Sequence, residues 1–193
     1  MRLVCLRHGL TPLNQADRFN GGIQEGLAPA QLRELKAVRF DAGRFGRVYC
    51  SPLRRCVETA AALGIERPLL DARIAERNLG IFEGLTAEEC GLSYPAAFEA
   101  FAALDEGYAI PGGESRAEHL RRVLAWLEEA AVHAEVLAVT HGGTIDFLYR
   151  MATGLPLHGG RIHGSHNASL TAFAVEWPDL KLLEYSAPLE PAA

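Results

Sequence analysis

Arginine, histidine and glycine stand together at positions 7–9, directly after the apolar run Leu3-Val4-Cys5-Leu6. Arg7 offers a planar fork of donors matched to phosphate or carboxylate. His8 titrates near neutrality and can act as a base or a nucleophile. Gly9 is expected to let the backbone come close to a ligand. A strand that ends this way is suited to meet an anion. Two further polar clusters follow apolar runs: Ser51 to Arg55 after Arg47–Cys50, and His141 after Glu135–Thr140. Each has a plainer alternative. RHG alone more often marks a surface turn, Arg55 can pair with Glu58, and His141 can be a satisfied core histidine. Asn14 can simply fix a turn. The Gly142-Gly143 pair after His141 argues instead for close approach of a ligand.

Positioning such groups requires elements that end together. Residues 2–6, 47–50, 68–71 and 135–140 read as strands, and 169–175 with 181–185 as a closing pair. Between them lie helical patterns from Pro29 to about Arg39, from Ser51-Pro52 (N-cap and first-turn proline) through Leu63, and from Gly142 to about Ala152. Short helices are expected at Ala87–Cys90 and Tyr94–Leu104. Ser115-x-x-Glu118 is a capping box opening a helix to about Ala131. Its apolar stripe is read as Leu120, Val123, Leu124 and Leu127. Strand–helix alternation predicts an α/β three-layer sandwich, with a mostly parallel central sheet flanked by helices. Ligands in such sheets bind beyond the carboxyl ends of the strands, where all three polar clusters fall.

The bulk composition narrows the function classes. With 193 residues, 49% of them hydrophobic, the chain can bury a sizeable core as one domain spanning 1–193. A formal net charge of −5 and the lack of any Lys/Arg-rich run argue against nucleic acid as a partner. No apolar stretch is long enough to span a membrane, and Met1 leads almost at once into a strand, so no signal peptide is expected. Cys5, Cys50, Cys56 and Cys90 form no CxxC pair and read as buried reduced thiols of a cytoplasmic protein. The closing strand pair leaves a homodimer open.

Four segments carry a wider resemblance: RHGLTPLN at 7–14, SPLRRCVETA at 51–60, AERNLGIFEG at 75–84 and VTHGG at 139–143. In this order and at these separations they resemble the histidine phosphatase superfamily, which includes cofactor-dependent phosphoglycerate mutases and many small phosphatases. The resemblance implies a phosphoglycerate mutase-like fold and metal-independent hydrolysis of a small phosphate monoester, with no cofactor. It implies that His8 becomes phosphohistidine, that Arg7, Arg55 and His141 surround the phosphate, and that Glu76 is the acid/base rather than Glu83. Asn14, Asn20, Gly21 and Gly142 are the further phosphate-site residues. The chemistry agrees: phosphoryl transfer needs positive charge around the equatorial oxygens and an in-line nucleophile. Nearby arginines favour a neutral, nucleophilic His8.

The alternatives are a phosphoglycerate mutase and a non-catalytic phosphate-binding protein. The stretch Gly84 to Ser115, expected to form a small helical lid, has no Lys or Arg but carries Glu88, Glu89, Glu99, Asp105, Glu106 and Glu114. An acidic lid disfavours a doubly anionic substrate, tempered by Arg77 and Arg116. A phosphatase is therefore expected, similar to α-ribazole or broad-specificity phosphatases. Leu10 in place of an acidic residue, Leu27-Ala28-Pro29-Ala30 at the first long helix and Asn20-Gly21-Gly22 depart from the family pattern at the rim. His158, His163 and His166 lie at loop-like spacings without a matching carboxylate or cysteine, and are read as rim or loop residues rather than a metal site.

Overall fold

A computed structural model describes residues 1–157 and 164–189. Its six-stranded sheet has the order β3-β2-β4-β1-β5-β6. The strands are β1 (Arg2–Arg7), β2 (Arg47–Cys50), β3 (Leu69–Leu70), β4 (Glu135–Thr140), β5 (Ser169–Glu176) and β6 (Asp179–Pro188). Pairing is parallel from β3 through β2 and β4 to β1, and antiparallel for β1–β5 and β5–β6. The central strands are apolar because both faces are covered. Leu3 and Cys5 enter one core with Val123, Trp126 and Leu127, while Val4 and Leu6 enter the other with Leu35, Cys56 and Ala60. That period-two division yields the expected three layers.

The helices are α1 (Pro12–Gln15), α2 (Pro29–Lys36), α3 (Arg54–Ala62), α4 (Ala87–Ser93), α5 (Pro95–Ala102), α6 (Arg116–Ala130) and α7 (Gly142–Thr153). Three differ from expectation for local reasons. α1 was not anticipated. It is a single turn stapled by a Thr11–Asn14 capping box. α3 starts at Arg54, not at Pro52, because the Ser51 side chain turns toward His141 and Leu53 takes the cap position without a side-chain bond. On α6 the buried face is His119, Val123, Trp126, Leu127 and Ala130, with Leu120 and Leu124 only half-buried. The capping box at Ser115 and Glu118 forms as read.

Segment 84–115 holds α4 and α5 on a satellite core of its own. Phe82, Cys90 and Ile110 are buried there, with Phe19, Phe98, Phe101 and Tyr108 packed around them. Phe82 meets Phe98 and Phe101 edge-on, at centroid distances of 5.9 and 5.6 Å. All four cysteines are buried free thiols, and burial pushes Cys5 and Cys50 up to about 12. Among the described residues no helix is long and apolar enough to cross a membrane. Because Phe82 joins both helices of the satellite core, Phe82→Ala is expected to cost about 3–5 kcal/mol of stability. Urea unfolding followed by circular dichroism measures this as a lowered midpoint.

Candidate active site

Register brings the polar clusters together. Arg7 lies opposite Thr140, and Cys50 opposite Val139, so β1, β2 and β4 end at one edge of the sheet. The turn after β1 is held on every side. His8 N–H donates to Thr140 (3.0 Å), and Asn167 Nδ2 donates to the His8 carbonyl (3.1 Å) and to Asn14 Oδ1 (3.3 Å). Gly9 N–H donates to Thr59 Oγ1 (2.9 Å). Gly9 serves packing rather than ligand approach: a Cβ there would lie 2.9 Å from Leu35 and 3.0 Å from Gln31 of α2.

A cavity of about 440 Å³ opens at this edge. Arg7, His8, Asn14, Asn20, Gly21 and Arg55 are among the residues that line it. His8 Nδ1 lies 2.8 Å from the Gly9 carbonyl, so Nδ1 carries the proton and Nε2 keeps the lone pair. Nε2 makes no hydrogen bond among the described residues. Burial, then the Arg55 and Arg7 charges, lower the His8 pKa to about 3, against smaller opposing effects of the Gly9 carbonyl and Glu76. Arg7 Nη1 donates to the Ser165 carbonyl.

Arg55 and its neighbour Arg54 at the start of α3 have different fates. Arg54 is largely exposed and pairs with Glu58 at 2.7 Å, which removes Glu58 as a partner for Arg55. Arg55 is fully buried. It donates to Gly21 O (2.7 Å), to Ile23 O (2.9 Å) and through Nε to His141 Nδ1 (3.3 Å). His141 is equally buried, and its Nε2 meets Ser51 Oγ at 2.7 Å. Both its nitrogens are thus engaged by protein, and it packs behind His8 with ring centroids 5.1 Å apart instead of lining the cavity. Burial and the Arg55 charge hold it neutral, well below the usual histidine range. Gly142 is buried at the start of α7, and it is Gly143 that reaches the cavity wall.

Glu76 also lines this cavity, whereas Glu83 is a brace. Glu83 Oε1 accepts from Gly22 (2.6 Å) and Leu79 (2.9 Å). Gly21, at φ +46°, leaves it the space, since a Cβ there would strike the carboxylate. Glu76 accepts through Oε1 from its neighbour Arg77 N–H (3.0 Å) and through Oε2 from Gly143 N–H (3.1 Å). A Cβ on Gly143 would collide with this carboxylate, so that glycine makes room for Glu76 rather than for a ligand. Arg122 of α6 pins the preceding loop, donating to the carbonyls of Arg73 (2.7 Å), Ala75 (2.7 Å) and Glu76 (3.1 Å) while paired with Glu114.

Sequence reasoning missed Asn167, Arg122 and His119. His119 is 1% exposed, lines the cavity and faces Thr144 Oγ1 at 3.4 Å. Its place on the α6 stripe one turn before Val123 was the available signal. The expected acidic lid also requires correction. None of its six carboxylates lines the cavity, to which segment 84–115 contributes only Phe101 and Leu104. Glu89 is turned to Arg18 and Glu114 to Arg122. The lining has Arg7, Arg18, Arg55, Arg77 and Arg116 against Glu76 and Asp146, so it is electropositive within an acidic chain. Of the C-terminal histidines, His158 and His163 lie outside the described residues, and His166 bonds Ser186 on β6.

Known proteins resemble this chain in sequence and in fold. The family model described as Histidine phosphatase superfamily (branch 1) matches residues 3–186. A metal-independent phosphoserine phosphatase of Arabidopsis thaliana is 31% identical over 86% of this chain and 74% of its own length. A glucosyl-3-phosphoglycerate phosphatase of Mycolicibacterium vanbaalenii is 33% identical over 90% of this chain and 84% of its own. The crystal structure of the α-ribazole phosphatase from Shigella flexneri superposes with a TM-score of 0.83 over the whole of both chains at 22% identity, a likeness of fold.

Buried neutral histidines make stability depend on pH. His8 and His119 both fall to about 3 when folded, from an ordinary 6.5. Below pH 6.5 the unfolded chain binds protons that the folded chain refuses, so stability rises with pH across this window and falls on acidification. Each such group contributes a slope approaching about 1.4 kcal/mol per pH unit. Urea titrations at pH 7, 6 and 5 should show this loss, and His119→Leu should remove one histidine's share of the slope.

Proposed function

The chain belongs to the histidine phosphatase superfamily (branch 1), and from that premise we propose that it hydrolyses phosphate monoesters without a metal, through a phosphohistidine on His8. The observation that carries this reading is the state of the His8 ring. It is neutral, with Nδ1 committed to the Gly9 carbonyl and Nε2 presented at a cavity flanked by Arg7 and Arg55. The named phosphatases among its relatives support the reaction class, and one of them is itself metal-independent.

The substrate phosphate sits beside His8 in the cavity, its charge matched by Arg7 and Arg55. His8 Nε2 attacks phosphorus as the P–O bond to the alcohol breaks. The ring gains positive charge in this step, and the Nδ1–H bond to Gly9 strengthens with it. Glu76, protonated, gives its proton to the departing oxygen. The resulting carboxylate then takes a proton from water as that water attacks the phosphohistidine, returning free His8 and inorganic phosphate. Ser51, His141 and Asn167 position this machinery. Through the Arg55–His141–Ser51 chain the guanidinium is fixed before substrate arrives, which lowers the reorganisation needed in the transition state. Phosphoserine and glucosyl-3-phosphoglycerate, for which the two curated relatives are named, are the first substrates to test.

Rapid quenching should trap label from a ³²P-monoester on His8 as an acid-labile, base-stable adduct, and hydrolysis should persist in EDTA. His8→Ala is expected to abolish both the adduct and turnover; turnover unchanged in that variant would remove His8 from the mechanism. Glu76→Gln should lower kcat by about 10²–10⁴-fold on alkyl phosphates. On p-nitrophenyl phosphate, whose leaving group needs no proton, the formation of the adduct should be far less affected. Stopped-flow bursts of p-nitrophenol measure that step separately.

A further inference from the structure

Helices α6 and α7 also line the cavity, and they carry polar groups that the phosphate chemistry does not use. Asp146, on α7, lines it with its side chain only 9% exposed. One oxygen, Oδ2, accepts from Arg150 Nε at 3.0 Å. The other accepts no hydrogen bond from the described residues. Arg150, itself 1% exposed, is tied in turn to the Pro156 carbonyl at 2.7 Å, so the carboxylate is held in one place. His119, on α6, lines the cavity as well. Its Nε2 faces Thr144, and its Nδ1 has no partner among the described residues. The ring is set edge-on against Phe147 at a centroid distance of 5.0 Å. Neither atom is sealed from solvent, and both residues line the cavity, so a carboxylate oxygen and an imidazole nitrogen stand available to a ligand there.

Resting on the reading of this cavity as the substrate pocket, we infer that Asp146 and His119 select a hydroxylated alcohol as the leaving part of the substrate, that is, the phosphate monoester of a polyol or sugar. Asp146 accepts a hydrogen bond from one substrate hydroxyl. His119, whose tautomer is free to follow Thr144, donates to or accepts from another. Phe19, Phe101 and Phe147 line the same cavity and supply flat apolar faces suited to the C–H surface of such a body. An ammonium group is the other partner a carboxylate takes. It is disfavoured because Arg77 and Arg116 share the lining and repel it. A purely apolar alcohol leaves both polar groups unanswered.

The test uses esters that differ only in hydroxyls. Phosphate release from glycerol 3-phosphate and from propyl phosphate is compared for the wild type, Asp146→Asn and His119→Leu, and the ratio of kcat/KM within each protein cancels general damage. The wild type should favour glycerol 3-phosphate by about 10- to 100-fold, the worth of a hydrogen bond to a charged group plus a neutral one. The ratio should fall at least severalfold in each variant. A wild-type ratio near one, or an unchanged ratio in both variants, overturns the inference. A preference for phosphoethanolamine over 2-hydroxyethyl phosphate overturns it in favour of an ammonium. Calorimetric binding of the same esters to the His8→Ala protein gives the same ratio without turnover. If the wild type hydrolyses nothing, the proposed reaction falls, and this binding ratio alone decides the role of Asp146 and His119.

Discussion

A fully buried guanidinium organises the site. Arg55 enters from the first turn of α3 and finds three acceptors waiting: the carbonyls of Gly21 and Ile23, and Nδ1 of His141. A buried charge with unmet donors is costly, so each of these partners is constrained by it. The 20–23 loop must fold back over the sheet edge, and that fold is secured from outside by Glu83 on Gly22 and Leu79. His141 must keep Nδ1 unprotonated, which sends its Nε2 proton to Ser51. The same cation, after burial, lowers the pKa of His8 and so helps to keep that ring neutral. Anion binding, histidine tautomer and loop conformation thus depend on one side chain.

Much of this could be read from the chain alone. The strand-end positions of Arg7, His8 and His141 followed from apolar runs buried on both faces, and β1, β2 and β4 fell where the runs placed them. Arg55 was singled out by its position in the second segment, and burial separates it plainly from its neighbour Arg54. Glycine was the least legible residue type. Gly9 and Gly143 were both assigned to ligand approach, yet one gives space to Leu35 and the other to the Glu76 carboxylate. A missing side chain does not say which neighbour fills the gap. α6 offered two overlapping apolar stripes. The one read through Leu120, Val123, Leu124 and Leu127 obscured the one through His119, Val123 and Trp126, and with it a cavity residue.

Charge was legible in amount but not in direction. The six carboxylates of segment 84–115 suggested a repulsive cover, but none lines the cavity: Glu89 is paired with Arg18 of the lining, and Glu114 with Arg122 outside it. What the cavity meets is a set of guanidiniums drawn from distant parts of the chain: Arg7, Arg18, Arg55, Arg77 and Arg116. A net negative protein can thus hold a focused positive field, because the field in a low-dielectric cleft follows local side chains more than total charge.

The satellite core around Phe82 divides labour within the molecule. Segment 84–115 packs on an aromatic cluster that it shares with Phe19 and Phe82, and it contributes only Phe101 and Leu104 to the cavity, while His8, the lining arginines and Glu76 all come from elsewhere. Drift in that segment can therefore reshape what is accepted without disturbing how it is cleaved. Such a scaffold is evolvable in a specific sense: a lineage can explore new substrates through two side chains at little risk to its chemistry.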